Sequence, residues 1–261
     1  MKLIILAWNY LRIGVANELQ YRVNFFIQIF QSVIALGIGL IGLALVFAHT
    51  SSLGGWSQPE LLVVMGVYIL MGGLIQAFIQ PNMQRLMTEI GTGTLDFALT
   101  KPVDGQALIV VREVRFWSLA DVAVGLIVLV VAVIQIHAVM SLWQMLAFVL
   151  TLILGAIMIY SFWMILTSIA FWVIRVDEIF NLFEGVYAAG RWPVSIYPDW
   201  LRLGLTFLVP VAFAVTIPAQ ALTNRLDVPT LLAAVALTVF FVALARLVWK
   251  LGVRNYSGAS A

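Results

Sequence analysis

Few side chains in this sequence are equipped for catalytic or metal chemistry: there are two histidines, His49 and His137, and no cysteine. Without thiolates there is neither a disulfide nor a sulfur-ligated metal, and two separated histidines assemble neither a triad nor a metal site. Phosphate chemistry fares no better. The lysines are Lys2, Lys101 and Lys250, and none follows a glycine-rich loop or precedes a Ser or Thr, so the chain has no P-loop for ATP. The run GIGLIG, Gly37 to Gly42, has the spacing of a dinucleotide loop, but no strand precedes it and its neighbours are apolar throughout. Small residues that let helices approach in lipid are the better account. Asp121 is an acid inside an apolar stretch and therefore a functional candidate. Its shallow depth favours a structural pair with Arg115 or Arg112.

The remaining candidate is a polar island, Pro81 to Arg115, which holds four of the fourteen basic residues. Asn82 is a plausible N-cap and Gly91 a C′ residue for a first short helix. Gly93 allows a turn into Thr94 to Leu99, and Pro102 ends that second piece. The spacing predicts a compact docking surface on which Leu86, Phe97 and Leu99 stand beside Arg85, Glu89 and Asp96.

The elements that must carry this island are membrane spans. With 63% hydrophobic and 10% charged residues and a mean hydropathy of +1.07, the chain is an integral membrane protein. A net charge of +2 with scattered basic residues excludes a nucleic-acid partner. Residues 1–22 carry Ile4, Trp8, Leu11, Val15 and Leu19 on one helical face and read as a helix lying on the membrane surface, with membrane lipid as its partner. At 1.5 Å per residue against a layer of ~30 Å, residues 25–47, 61–80 and 116–136 are spans, and 142–174 is a fourth that exceeds the need. His49 to Glu60 lacks Lys and Arg and is expected outside. Residues 230–249 form the last span, with Arg246, Lys250 and Arg254 placing the C-terminus in the cytosol.

The region from 175 to 222 admits two arrangements. In one, 203–222 crosses the membrane and 175–202 is cytosolic, as positive-inside counting prefers. In the other, 177–194 is the fifth span and 198–222 is a re-entrant hairpin broken at Pro210, which leaves Arg191, Arg202 and Arg225 outside. Both give six spans with both termini cytosolic.

Two stretches carry a resemblance. IGTGTLDFALTKPVD, Ile90 to Asp104, and WPVSIYPDWLRLGLTFLVPVAFAVTIPAQAL, Trp192 to Leu222, closely resemble signatures of the ABC-2 type permeases, in the branch of short subunits without an ATPase domain. VRNYSGAS, Val253 to Ser260, is similar to that branch's C-terminal end. The resemblance covers essentially the whole chain. It implies an all-α polytopic fold with an N-terminal interfacial helix, six transmembrane helices, a cytosolic coupling helix within 82–99 and a re-entrant hairpin at 198–222. It further implies the permease subunit of an exporter in the cell membrane, paired with a second permease chain, identical or related, and with two copies of an ABC-type ATPase. ATP and magnesium then belong to the ATPase, no cofactor is bound by this chain, and Arg85, Leu86, Glu89, Asp96, Phe97 and Leu99 are the coupling residues. An apolar and aromatic pathway suits an amphipathic or lipid-like cargo. A non-transporting scaffold using the same island, and a secondary transporter, are the competing readings.

Overall fold

The computed structural model describes Trp8, Tyr10, Arg12 and residues 22–136, 140–172 and 178–256. The surface helix expected over 1–22, along with His137, Arg175 and Asp177, lies outside the described residues apart from those three. Five helices are long and apolar enough to cross a membrane: Phe26–Phe47, Gln58–Gly91, Phe116–Ile136, Leu142–Phe171 and Val228–Asn255. Among the described residues there is no strand beyond the isolated bridge from Leu53 to Trp56. The chain is thus an all-helical, multi-pass membrane protein, because a backbone in lipid must satisfy its own polar groups.

The most buried helix is the second, and it departs from the expected boundaries. Helix α1 (Arg22–Phe47) is followed by α2 (Gln58–Leu74), whose start is fixed by the Ser57 N–H donating to the Glu60 carboxylate at 2.8 Å. The helix of span two does not end at Gln80. It passes through a π turn, Ile75–Ile79, into α3 (Gln80–Gly91), making one rod of 34 residues. Pro81 is accommodated because it falls in the first turn after the π stretch. Asn82 is therefore helix interior, not an N-cap. Gly91 is the last helical residue, and Gly93, at φ 73°, is the left-handed one. The Thr94 N–H donates to Glu89 O at 3.0 Å and the Gly93 N–H to Ile90 O at 3.3 Å, closing a Schellman motif two residues later than expected.

The island continues through α4 (Asp96–Leu99) and α5 (Gly105–Ile109), the latter N-capped by Asp104, which accepts from the Ala107 N–H at 3.0 Å. Helix α6 (Leu119–Ile136) then packs along α2 at glycines. A Cβ on Gly125 would lie 2.5 Å from the Leu70 nitrogen, and one on Gly73 2.8 Å from the Val122 nitrogen. Helix α7 (Leu142–Ser168) runs on through a 3₁₀ turn to Phe171. Helix α8 (Glu178–Tyr187) continues in 3₁₀ form to Arg191. Next come α9 (Asp199–Leu203), a π turn to Leu208, a break, a second π turn Ala212–Thr216, and α10 (Ile217–Leu222). The two arms, Asp199–Leu208 and Ala212–Leu222, meet at 81° across Val209 and Pro210. The last helix, α11 (Val228–Asn255), starts where Asp227 accepts from the Thr230 N–H at 2.9 Å, so it is longer at both ends than 230–249.

Contacts along the rod show how the chain runs from Glu184 to Arg225. Gln80, at the island end, donates to Glu184 at 3.2 Å, whereas Trp56, at the opposite end, donates to Ser195 at 3.2 Å. The stretch from Glu184 to Ser195 therefore travels the length of α2 in the reverse direction. Arg225, beyond the second arm of the bent pair, donates to Glu60 at 2.8 Å and to Gly55 O at 2.8 Å. Ser195 and Arg225, which flank the bent pair, thus both meet the Gly55–Glu60 turn, and its two ends lie close together. The arginines that weighed against this arrangement are each engaged. Arg225 pairs with Glu60, Arg202 with Asp199 at 2.7 Å, and the Arg191 guanidinium lies over the Tyr68 ring at 5.7 Å.

Candidate functional site

Two features are built on the rod, one at its end and one along its side. At the end, the island is held by buried polar contacts. With Pro81 lacking an N–H, the Ala77 carbonyl lies four residues short of a donor, and the Arg115 N–H takes it at 3.0 Å. Asn82 is buried and donates to Phe78 O and Glu113 O, both at 2.7 Å, while accepting from the Glu113 N–H at 2.9 Å. Glu89 accepts from Arg85 Nε at 3.0 Å and from both terminal nitrogens of Arg112, one at 2.8 Å. Arg112 is buried and its fork is bidentate, so this is the stronger of the two pairings. On the far side, Arg246 of α11 donates to Asp104 at 3.0 Å and to Gln106 at 2.9 Å. The Arg246 hydrogen bond, opposed by partial burial and aided by the Ala107 N–H, holds the Asp104 carboxyl below its usual range. Lys101 donates to the Tyr10 hydroxyl and lies 5.0 Å from its ring centre.

The six residues expected to form a docking face do not share one. Leu86 is fully buried and belongs to the core, because a helix continuous with span two turns that face inward. Arg85 and Glu89 are joined to each other and to Arg112, whose part the sequence reading missed. Leu99 is half-buried beside Gly105, where a Cβ would stand 3.2 Å from Leu99 Cδ2 and 3.6 Å from Trp249. Asp96 is half-buried, and Phe97, at 77% exposure, stands alone at the tip.

Along the side, a groove of about 680 Å³ opens between α1, α2, α6 and α8. Its levels can be read from the residues of the rod that they face. Glu184 is beside Gln80, Asp121 beside Gly73, Tyr187 beside Gly72 and Arg191 beside Tyr68. Asp121 does not pair with Arg115 or Arg112, since Arg115 donates to Gln84 at 2.6 Å and Arg112 is taken by Glu89. It accepts instead from Gln28 at 2.7 Å and from the Ser32 hydroxyl. Gly73 brings the two helices together there, with its Cβ position only 3.0 Å from Asp121 Cβ. The wall beyond is aromatic: Tyr68 stacks on Tyr187 at 4.9 Å, Tyr187 on Phe183 at 5.8 Å, and Phe183 meets Trp163 at 4.7 Å. The readable signal was the recurrence of Gln28, Gln31 and Ser32 at helical spacing in an otherwise apolar span. Among the described residues, no group of three or more His, Asp or Glu side chains is placed to hold a metal.

The structure is that of a multi-pass helical membrane protein in which one rod forms both the wall of a side groove and the base of a polar cap. More narrowly, residues 33–260 match the family described as ABC-2 family transporter protein, and the chain belongs to that family. No match was found among curated proteins or among solved structures.

Proposed function

We propose that the chain is the permease subunit of an ATP-driven exporter, with ATP and magnesium bound by a separate ABC-type ATPase, present in two copies, and with a second permease chain completing the pathway. The island end of the bundle, and with it both termini, faces the cytosol. The observation that carries this reading is the unbroken rod from Gln58 to Gly91. Its lower half lines the groove at Tyr68, Gly72, Gln76 and Gln80, and its end supports the Glu89–Arg112 pair. A push on the island by an ATPase therefore moves a wall of the groove without a hinge between them. Asp104 with Arg246, and Leu99 beside Trp249, carry the same displacement into the last span. Arg85, Glu89 and Leu86 act by holding the island rigid, and Phe97, with Asp96 beside it, is the part that meets the ATPase.

Co-purification of the ATPase with permease variants at matched expression tests this. An exposed aromatic anchor seated in a partner's groove contributes on the order of 2 kcal/mol, about thirtyfold in affinity. Phe97→Ala should therefore lose the ATPase while inserting normally. Retention of the ATPase and of transport at wild-type levels would sink the coupling role of the island.

A further inference from the structure

We propose that the side groove binds an amphipathic organic cation, its charged group on the stretch between Asp121 and Glu184 and its apolar body along the aromatic wall. The groove has the size of a small-molecule site, for which about 300–1,000 Å³ is usual. Its charge is uneven. Asp121 and Glu184 both line it, and among the described residues neither has a cationic partner, only the neutral donors Gln28, Ser32 and Gln80. By contrast, Glu60, Glu89, Asp104 and Asp199 each hold an arginine. Carboxylates facing a groove in an apolar bundle are costly unless a cation arrives to share them.

The adjoining wall has the complementary chemistry. Faces of Tyr and Phe attract cations through the ring quadrupole, and a delocalised, weakly hydrated cation loses little on leaving water. The molecule already shows the affinity internally, since the Arg191 guanidinium lies 5.7 Å from the Tyr68 ring centre. From Gln80 to Tyr68 the groove extends about 18 Å along the helix, room for a body longer than the charged group. Glu184 lies at the Gln80 end, Asp121 at mid-groove beside Gly73 and Arg191 at the Tyr68 end, so a positive charge is favoured on the stretch between the two carboxylates and an anion of the same shape is repelled from it. The description of this occupant as exported cargo rests on the proposed exporter function, whereas the binding itself does not.

The test uses a pair of probes alike in shape and opposite in charge, tetraphenylphosphonium and tetraphenylborate, with the full-length permease alone in lipid nanodiscs. Saturable binding of radiolabelled tetraphenylphosphonium is expected, without saturable binding of tetraphenylborate. Asp121→Asn and Glu184→Gln should each weaken it by about tenfold, the size expected for losing one nearby opposite charge at a partly hydrated site. Because Asp121→Asn also alters the contact with α1, Glu184→Lys at the exposed end of the groove supplies an independent variant. It should abolish tetraphenylphosphonium binding while the protein elutes as wild type. Equal binding of the two probes, no saturable binding of the cation, or wild-type affinity in the Glu184 variants would overturn the inference. Measuring ATPase association in parallel separates the two readings. Absent cation binding with the ATPase retained defeats only the groove's specificity, and cation binding without ATPase association in the wild type defeats the exporter.

Discussion

Removing Arg112 is the sharpest probe of how the island is held. Its side chain is 6% exposed and donates two hydrogen bonds to Glu89, whose side chain is 14% exposed. Arg112→Ala strands that carboxylate with Arg85 alone, whose side chain is 40% exposed and reaches it only through Nε. Stranding a fully buried charge costs about 3–5 kcal/mol, and the surviving partner reduces this to about 2–3 kcal/mol. Arg85→Ala removes an exposed i,i+4 pair worth only about 0.3–0.5 kcal/mol. Hydrogen exchange reads the difference directly, because the N–H groups of Glu113 and Arg115 are bonded to Asn82 and Ala77 of the rod. Protection of these two amides should fall about thirty- to a hundredfold in Arg112→Ala and about twofold in Arg85→Ala, at 1.4 kcal/mol per tenfold. Equal losses in the two variants would refute the assignment of Arg112 as the buried anchor, as would full protection in Arg112→Ala.

Cysteines placed singly at Asp199 and Asp227 should react with an impermeant thiol reagent from one side of the membrane and one at Asp104 only from the other. Labelling of Asp199 and Asp104 from the same side would turn the bent pair into a span. The depressed pKa of Asp104 means its pairing with Arg246 stabilises the fold above the unfolded carboxyl value of about 3.9 and is lost as pH falls through the lower folded value. Asp104→Asn should therefore lower the melting temperature in detergent at pH 6, by an amount reflecting less than about 1 kcal/mol for a half-exposed pair, with the gap closing towards pH 3. A gap that stays constant across that range would exclude the ion pair as its source.

The sequence by itself determined the solvent and most of the spans. A chain this apolar has only helices available in lipid, and runs such as Phe26–Phe47 and Phe116–Ile136 announce themselves by length alone. Pro210 likewise marked the break that the structure places between the two arms. What sequence could not fix was continuity and partnership. Pro81 reads as a helix boundary in one dimension, yet a π turn and the N–H of Arg115, more than thirty residues away, let the helix pass it. Leu86 reads as surface only if that helix ends, and once it continues, the same face lies in the core. The arginines at 191, 202 and 225 read as isolated cations in the sequence, and the structure gives them Tyr68, Asp199 and Glu60 as partners. Asp121 has an arginine six residues before it, and the structure gives it to Gln28 and Ser32 of another helix instead. Hydropathy integrates along a segment, whereas these outcomes depend on single hydrogen bonds between segments, and only the packed bundle chooses among them.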